Sequence, residues 1–182
     1  MNRRVWAIVA AVAILLIGAY LGSPYWAARQ FREAALSADV DRLEAAVDFP
    51  AVRESLKSQV TVALTAKMQS DPKLKDNPFA GLGLMMMPAI VGRMVDGFVT
   101  PEGMSALMKR GKLERAGDEP KTNPDVDLDY GYRTLDRFAL SLKSRKEPNR
   151  EPANLVFERR GLFSWKLIRL ELPRGTFDGP TG

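Results

Sequence analysis

Three aspartates at alternate positions, Asp125, Asp127 and Asp129, are the densest group of oxygen ligands in the sequence. Alternating carboxylates open calcium loops of the EF-hand type, which also need a glycine at the sixth place and a bidentate glutamate at the twelfth. Tyr130 and Asp136 stand there instead, and the apolar Val126 and Leu128 between the carboxylates fit a strand better. On one strand face Asp127 and Asp129 would lie about 7 Å apart, close enough to share acid and base roles, but any amphipathic strand offers that spacing. Ser55 and Lys57 lack the i, i+3 or i+4 offset that a Ser-Lys dyad on one helix face requires. Gly81-x-Gly83 is not followed by the Lys and Ser/Thr of a phosphate loop.

The sequence holds no histidine and no cysteine. Without imidazole there is no ordinary general base near neutral pH, no Ser-His-Asp arrangement and no nitrogen ligand of the commonest kind. Without thiols there are no disulfides, thiolate metal sites, thiol nucleophiles or lipoprotein attachment. The expectation is a protein that is not an enzyme and carries no cofactor or metal.

The element that positions everything else is the run 5–22, eighteen residues without a charge. As a helix it measures roughly 27 Å, close to the hydrocarbon thickness of a bilayer. Arg3 and Arg4 precede it and predict a cytoplasmic N-terminus, a bias that Arg29 and Arg32 reduce. Trp6 at one end and Tyr20, Tyr25 and Trp26 at the other fit interfacial aromatic belts. A cleaved signal peptide has a shorter apolar core and small residues spaced Ala-x-Ala at its exit, which this run lacks. The expected organisation is a membrane anchor over 1–22, one domain over 23–175 and a flexible tail over 176–182. The net charge is +5 with a pI near 9.6. No dense Lys/Arg cluster accompanies it, which argues against nucleic acid and leaves the membrane, through residues 5–22, as the first expected partner.

Beyond the anchor the period is helical. Ser23-Pro24 has the form of a cap and first-turn proline from which a helix restarts. Asp39 and Asp48 read as further caps, and Val52, Leu56, Val60, Ala63 and Leu64 mark the inner face of a helix ending by Ser70. Residues 71–78 read as a loop. A second span over 79–99 is disfavoured by Arg93 and Asp96 and by its glycines. Pro88 instead opens a helix with Met87, Ile90, Val91, Met94, Val95 and Phe98 in one stripe, and Thr100 caps another that stops at Gly111. The methionine triplet Met85, Met86 and Met87 reads either as core or as an adaptable apolar surface.

After a loop over 117–124 the period becomes two. Val126, Leu128, Tyr130 and Tyr132 alternate with polar residues, as do Phe138, Leu140 and Leu142. Leu155 to Arg159 gives a third strand and Phe163 to Leu172 a fourth, whose apolar phase slips between Leu167 and Ile168, the mark of a bulge or of a pair buried on both faces. The fold class is α+β: an N-terminal transmembrane helix, then several helices packed on a curled antiparallel sheet of about four strands.

Ser23-Pro24-Tyr25, the run Asp48-Phe49-Pro50-Ala51-Val52-Arg53-Glu54-Ser55-Leu56-Lys57, Thr100-Pro101-Glu102-Gly103, Tyr132-Arg133 with Asp136-Arg137-Phe138, and Phe157-Glu158-Arg159 followed by Trp165-Lys166-Leu167 and Leu172-Pro173 resemble the bacterial domain of unknown function 2939. The resemblance implies a small membrane-anchored envelope protein with no assigned activity; with the orientation read from Arg3 and Arg4, the expected location is the bacterial inner membrane, single-pass, with the C-terminal domain in the periplasm. Helices followed by a meander also resemble the cystatin-like cone, an analogy of architecture. The leading expectation is a non-enzymatic binding or assembly module whose partner is another envelope protein or a lipid. Its candidate contacts are Met85, Met86, Met87, Ile90, Met94, Phe98, Tyr130, Tyr132 and Trp165. The alternative is an apolar ligand held between helices and sheet.

Overall fold

Pro24 does not break the first helix. In the computed structural model, which describes residues 3–70, 80–114, 126–173 and 176, α1 runs unbroken over Arg3–Ser37 with Pro24 inside it. Proline has no amide for the carbonyl four residues back. The Ser23 hydroxyl donates to that carbonyl, Tyr20 O, at 2.8 Å instead. The apolar run and the first helix of the domain are therefore one rod, where the sequence suggested a restart.

The rod ends at Ala38, whose φ of 54° is left-handed. Asp39 N–H reaches Ala34 O and Ala38 N–H reaches Ala35 O, the paired bonds that close a helix C-terminus. Asp39 then caps α2 (Val40–Ala46) by accepting from Arg42 N–H. Asp48 caps α3 (Phe49–Ser70) by accepting from Ala51 N–H at 3.2 Å. Val52 is fully buried, while Leu56, Val60, Ala63 and Leu64 farther along α3 are half-buried.

α4 spans Ala80–Phe98. It starts well before Pro88, which lies within it, and not at that residue as the sequence suggested. Thr100 caps α5 (Pro101–Glu114) through Gly103 N–H, and α5 continues past Gly111. The predicted loops over 71–78 and 117–124 lie outside the described residues.

Four strands follow, β1 (Val126–Thr134), β2 (Arg137–Ser144), β3 (Ala153–Arg159) and β4 (Trp165–Glu171), in an open antiparallel meander of that order. Val156 faces Arg169 and Phe157 faces Leu167, so Ile168 is the extra residue of the bulge that the phase slip foretold. Arg133 on β1 makes two 2.7 Å bonds to Glu171 on β4. The outer strands of a flat four-stranded sheet would be about 14 Å apart, so that pair reports a strongly curled sheet.

The free edge of β4 is covered. Val47 bridges Leu167, and Asp48 N–H donates to Leu167 O at 2.8 Å. Farther along, the Gln59 side-chain amide donates to Leu170 O and accepts from Leu172 N–H, as a neighbouring strand would. Helices cover one face of the sheet, where Phe31, Leu43, Val52, Phe138, Phe157 and Leu167 pack together. Burial of each such side chain contributes about 1.5–3 kcal/mol.

Candidate functional site

Two regions gather the candidate residues. The first is the foot of the domain, where the sheet meets α1. The buried Trp165 Nε1–H donates to Ser23 Oγ at 2.8 Å. Ser23 therefore accepts from the sheet while it donates to Tyr20 O. Tyr132 donates its hydroxyl to Leu21 O at 2.7 Å. The Tyr25 ring meets Phe138 edge-on at 4.8 Å and lies 6.1 Å from Tyr130.

The Arg159 guanidinium stacks between two rings, 3.7 Å from the centroid of Tyr20 and 4.3 Å from that of Trp165. Its Nη1 donates to Leu162 O and its Nη2 to Leu135 O. Its buried Nε makes no hydrogen bond and sits 3.5 Å from Asp136 Oδ1 in an ion pair. A guanidinium suits this position because it is flat, always charged and carries several donors in a fixed fork. Burial pushes the Tyr132 phenol above its ordinary value, with Arg159 opposing.

The fold thus brings Tyr130, Tyr132 and Trp165 together, and Trp165 is buried with its one polar atom paired to α1. Sequence reasoning missed Ser23 as a ligand of the sheet, and Arg159. The signal available for Ser23 was its place immediately before a proline on a helix, where the carbonyl at Tyr20 needs a donor.

The second region is α4. Val91 and Val95 are buried, Leu84 and Met87 are half-buried, and this stripe lies toward α3. Lys57 and Arg53 of α3 pair with Asp96; Asp96, then Glu54, holds the Lys57 ammonium above its usual range. The predicted stripe is split. Ile90, Met94 and Phe98 are exposed with Met85 and Met86, Met85 at 82%. Leu107 on α5 is exposed as well. Residues 81–98 and 101–110 together are apolar enough for a broken span, but they bend by 75°.

Ser105 on α5 donates to Ala38 O at 2.6 Å. This ties α5, and α4 before it, to the far end of α1. Ser37 lies fifteen residues beyond Gly22, roughly 22 Å along the helix axis.

Among the described residues the carboxylates are dispersed, many of them in ion pairs and caps. Asp127 pairs with Arg145, which holds its carboxyl below the usual range, and Asp125 lies outside the described residues. Among the described residues no three acidic side chains converge. An open groove of about 320 Å³ beside β4 is lined by Ser55, Ser58, Gln59, Arg169 and Glu171, a polar wall unsuited to a lipid tail. Large side chains fill the space between helices and sheet.

The family model described as a protein of unknown function (DUF2939) matches residues 13–107, just over half of the chain. This protein belongs to the DUF2939 family. The match begins inside the apolar half of α1 and ends within α5, so in this DUF2939 protein the sheet with Tyr132, Arg159 and Trp165 lies beyond the matched segment. α1 is long and apolar enough to cross a membrane. No curated protein and no solved structure matches the chain.

Proposed function

We propose that this DUF2939 protein is a non-enzymatic docking module of the bacterial inner membrane. α1 crosses the membrane once with its N-terminus inside, the domain stands in the periplasm, and the outward face of α4 takes an apolar helix of another envelope protein. The observation that carries this reading is the set of exposed apolar side chains Met85, Met86, Ile90, Met94 and Phe98 on a helix that buries Val91 and Val95, with Met86, Ile90 and Met94 alongside the buried stripe. So many large apolar side chains exposed on one helix mark an interaction site, and methionine repacks readily around a partner.

The tie between Ser105 and Ala38 supports a protein rather than a lipid as the occupant, because it holds the α4–α5 corner far along α1 from the apolar run. The lack of histidine and cysteine supports a binding role over catalysis. The test is a photoreactive residue in place of Met94 in the full-length chain in its native membrane. A discrete protein adduct that disappears when Met86→Asp is added, with the melting temperature unchanged, is the expected result. Adducts to lipid alone, or adducts indifferent to Met86→Asp, count against it.

A further inference from the structure

The turn joining β1 to β2 and the turn joining β3 to β4 end in apolar side chains. Leu135 is 69% exposed, Leu162 71% and Phe163 50%. Hairpin tips are ordinarily polar and carry turn formers. Arg159 binds both tips together through the carbonyls of Leu162 and Leu135, and its guanidinium rests on the Tyr20 ring at the outer end of the apolar run.

The direction of the strands fixes where these tips lie. Along β1, Tyr130 neighbours Tyr25 and Tyr132 reaches Leu21, so the chain descends α1 toward the apolar run as it approaches its turn. Leu135 is three residues farther on. On the other hairpin Trp165 sits at Ser23, and Leu162 and Phe163 precede it on the same descending side. At about 3.3 Å per residue both tips reach the level of Tyr20 or pass it.

We infer that Leu135, Leu162 and Phe163 form a second membrane contact, seated in the interface of the same bilayer that α1 crosses. This rests on α1 being a membrane span. The occupant is lipid because the tips flank that span at its outer end, where Tyr20 belongs to the aromatic belt. The depth required, about 5–10 Å into the headgroup and acyl boundary, is that of interfacial apolar faces in general. The charges around the tips neutralise one another: Arg160 pairs with Asp48 and Glu158, Arg137 with Glu158, and Arg159 with Asp136. The contact is therefore apolar and independent of salt, unlike a polybasic one. Its consequence is a domain fixed in tilt as well as tethered.

The absence of cysteine makes the test direct. Full-length protein carrying one environment-sensitive probe at Leu135→Cys, Phe163→Cys, Ile14→Cys or Lys143→Cys is placed in phosphatidylcholine/phosphatidylglycerol vesicles containing shallow or deep bromolipids. The expected result is quenching at 135 and 163 by shallow bromolipid, unchanged by added salt, deeper quenching at 14, and none at 143, at the opposite end of β2. Quenching at 14 with none at 135 and 163 overturns the contact and leaves the span standing. No quenching at 14 overturns both.

Discussion

The indole of Trp165 and the hydroxyl of Ser23, 142 residues apart, meet at 2.8 Å in the buried seam between the sheet and α1. Ser23 passes that bond on to Tyr20 O, the carbonyl left without an amide by Pro24. One hydroxyl thus mends the helix and fastens the domain to it.

Ser23→Ala leaves both Trp165 Nε1–H and Tyr20 O without partners, at a cost of about 1–3 kcal/mol. Trp165→Phe removes the donor and leaves the Tyr20 bond in place. Denaturant unfolding of both single variants and the double variant in detergent micelles should show coupling between the two sites. Strict additivity is the outcome that would break the claim.

Arg159→Lys keeps the charge and loses the flat fork. An ammonium cannot stack between Tyr20 and Trp165 while donating to Leu135 O and Leu162 O, so a loss of about 1–3 kcal/mol is expected. The thermal midpoint reads this, and near-ultraviolet circular dichroism should report altered packing of the two rings. A midpoint equal to that of the parent would show that Arg159 is only a surface charge.

The bonds from Arg133, then burial in opposition, set the Glu171 carboxyl below its ordinary value of 4.5. A lowered folded-state value means that the stabilisation is complete above the unfolded-state value and is lost as pH falls through the folded one. Because both groups are partly exposed, the effect is on the order of 1 kcal/mol or less. Thermal midpoints recorded from about pH 7 to about pH 3 should fall less for Glu171→Gln than for the parent chain. Equal slopes would remove Glu171 from the account of the curled sheet.

A Cβ at Gly103 would stand 2.4 Å from Phe98 O. Backbone cannot yield as a flexible side chain does, so Gly103→Ala must shift the corner between α4 and α5 and is expected to cost about 1–3 kcal/mol. Hydrogen exchange should localise the loosening to α4 and α5. Unchanged exchange there would mean that the corner is softer than its geometry indicates.

Much of the fold was legible because it follows local rules. Asp39, Asp48 and Thr100 act as caps, the period-two segments became strands, and the phase slip at Leu167 and Ile168 became the bulge. The helix through Ser23-Pro24 was not legible, since in isolation the pair reads as the cap and first-turn proline of a new helix, and the Trp165 bond that fixes the Ser23 hydroxyl comes from far along the sequence. The start of α4 was misread at Pro88 for a similar reason: a proline that opens many helices here lies inside one. The split of the α4 stripe was hidden too. Val91 and Ile90 are equally apolar, and only the position of α3 decides which one is covered. Arg159 carried no signal, because its partners come from α1, two turns and β4.

The account stands or falls on a domain displayed outside the membrane on a single rigid helix. Single-cysteine variants Arg3→Cys and Lys143→Cys, the latter exposed and away from the α4 face, treated in intact spheroplasts with a membrane-impermeant maleimide, address that directly. The account predicts that Lys143→Cys is labelled without lysis and Arg3→Cys only after it. Labelling of Arg3→Cys from outside, or protection of Lys143→Cys until lysis, would contradict it.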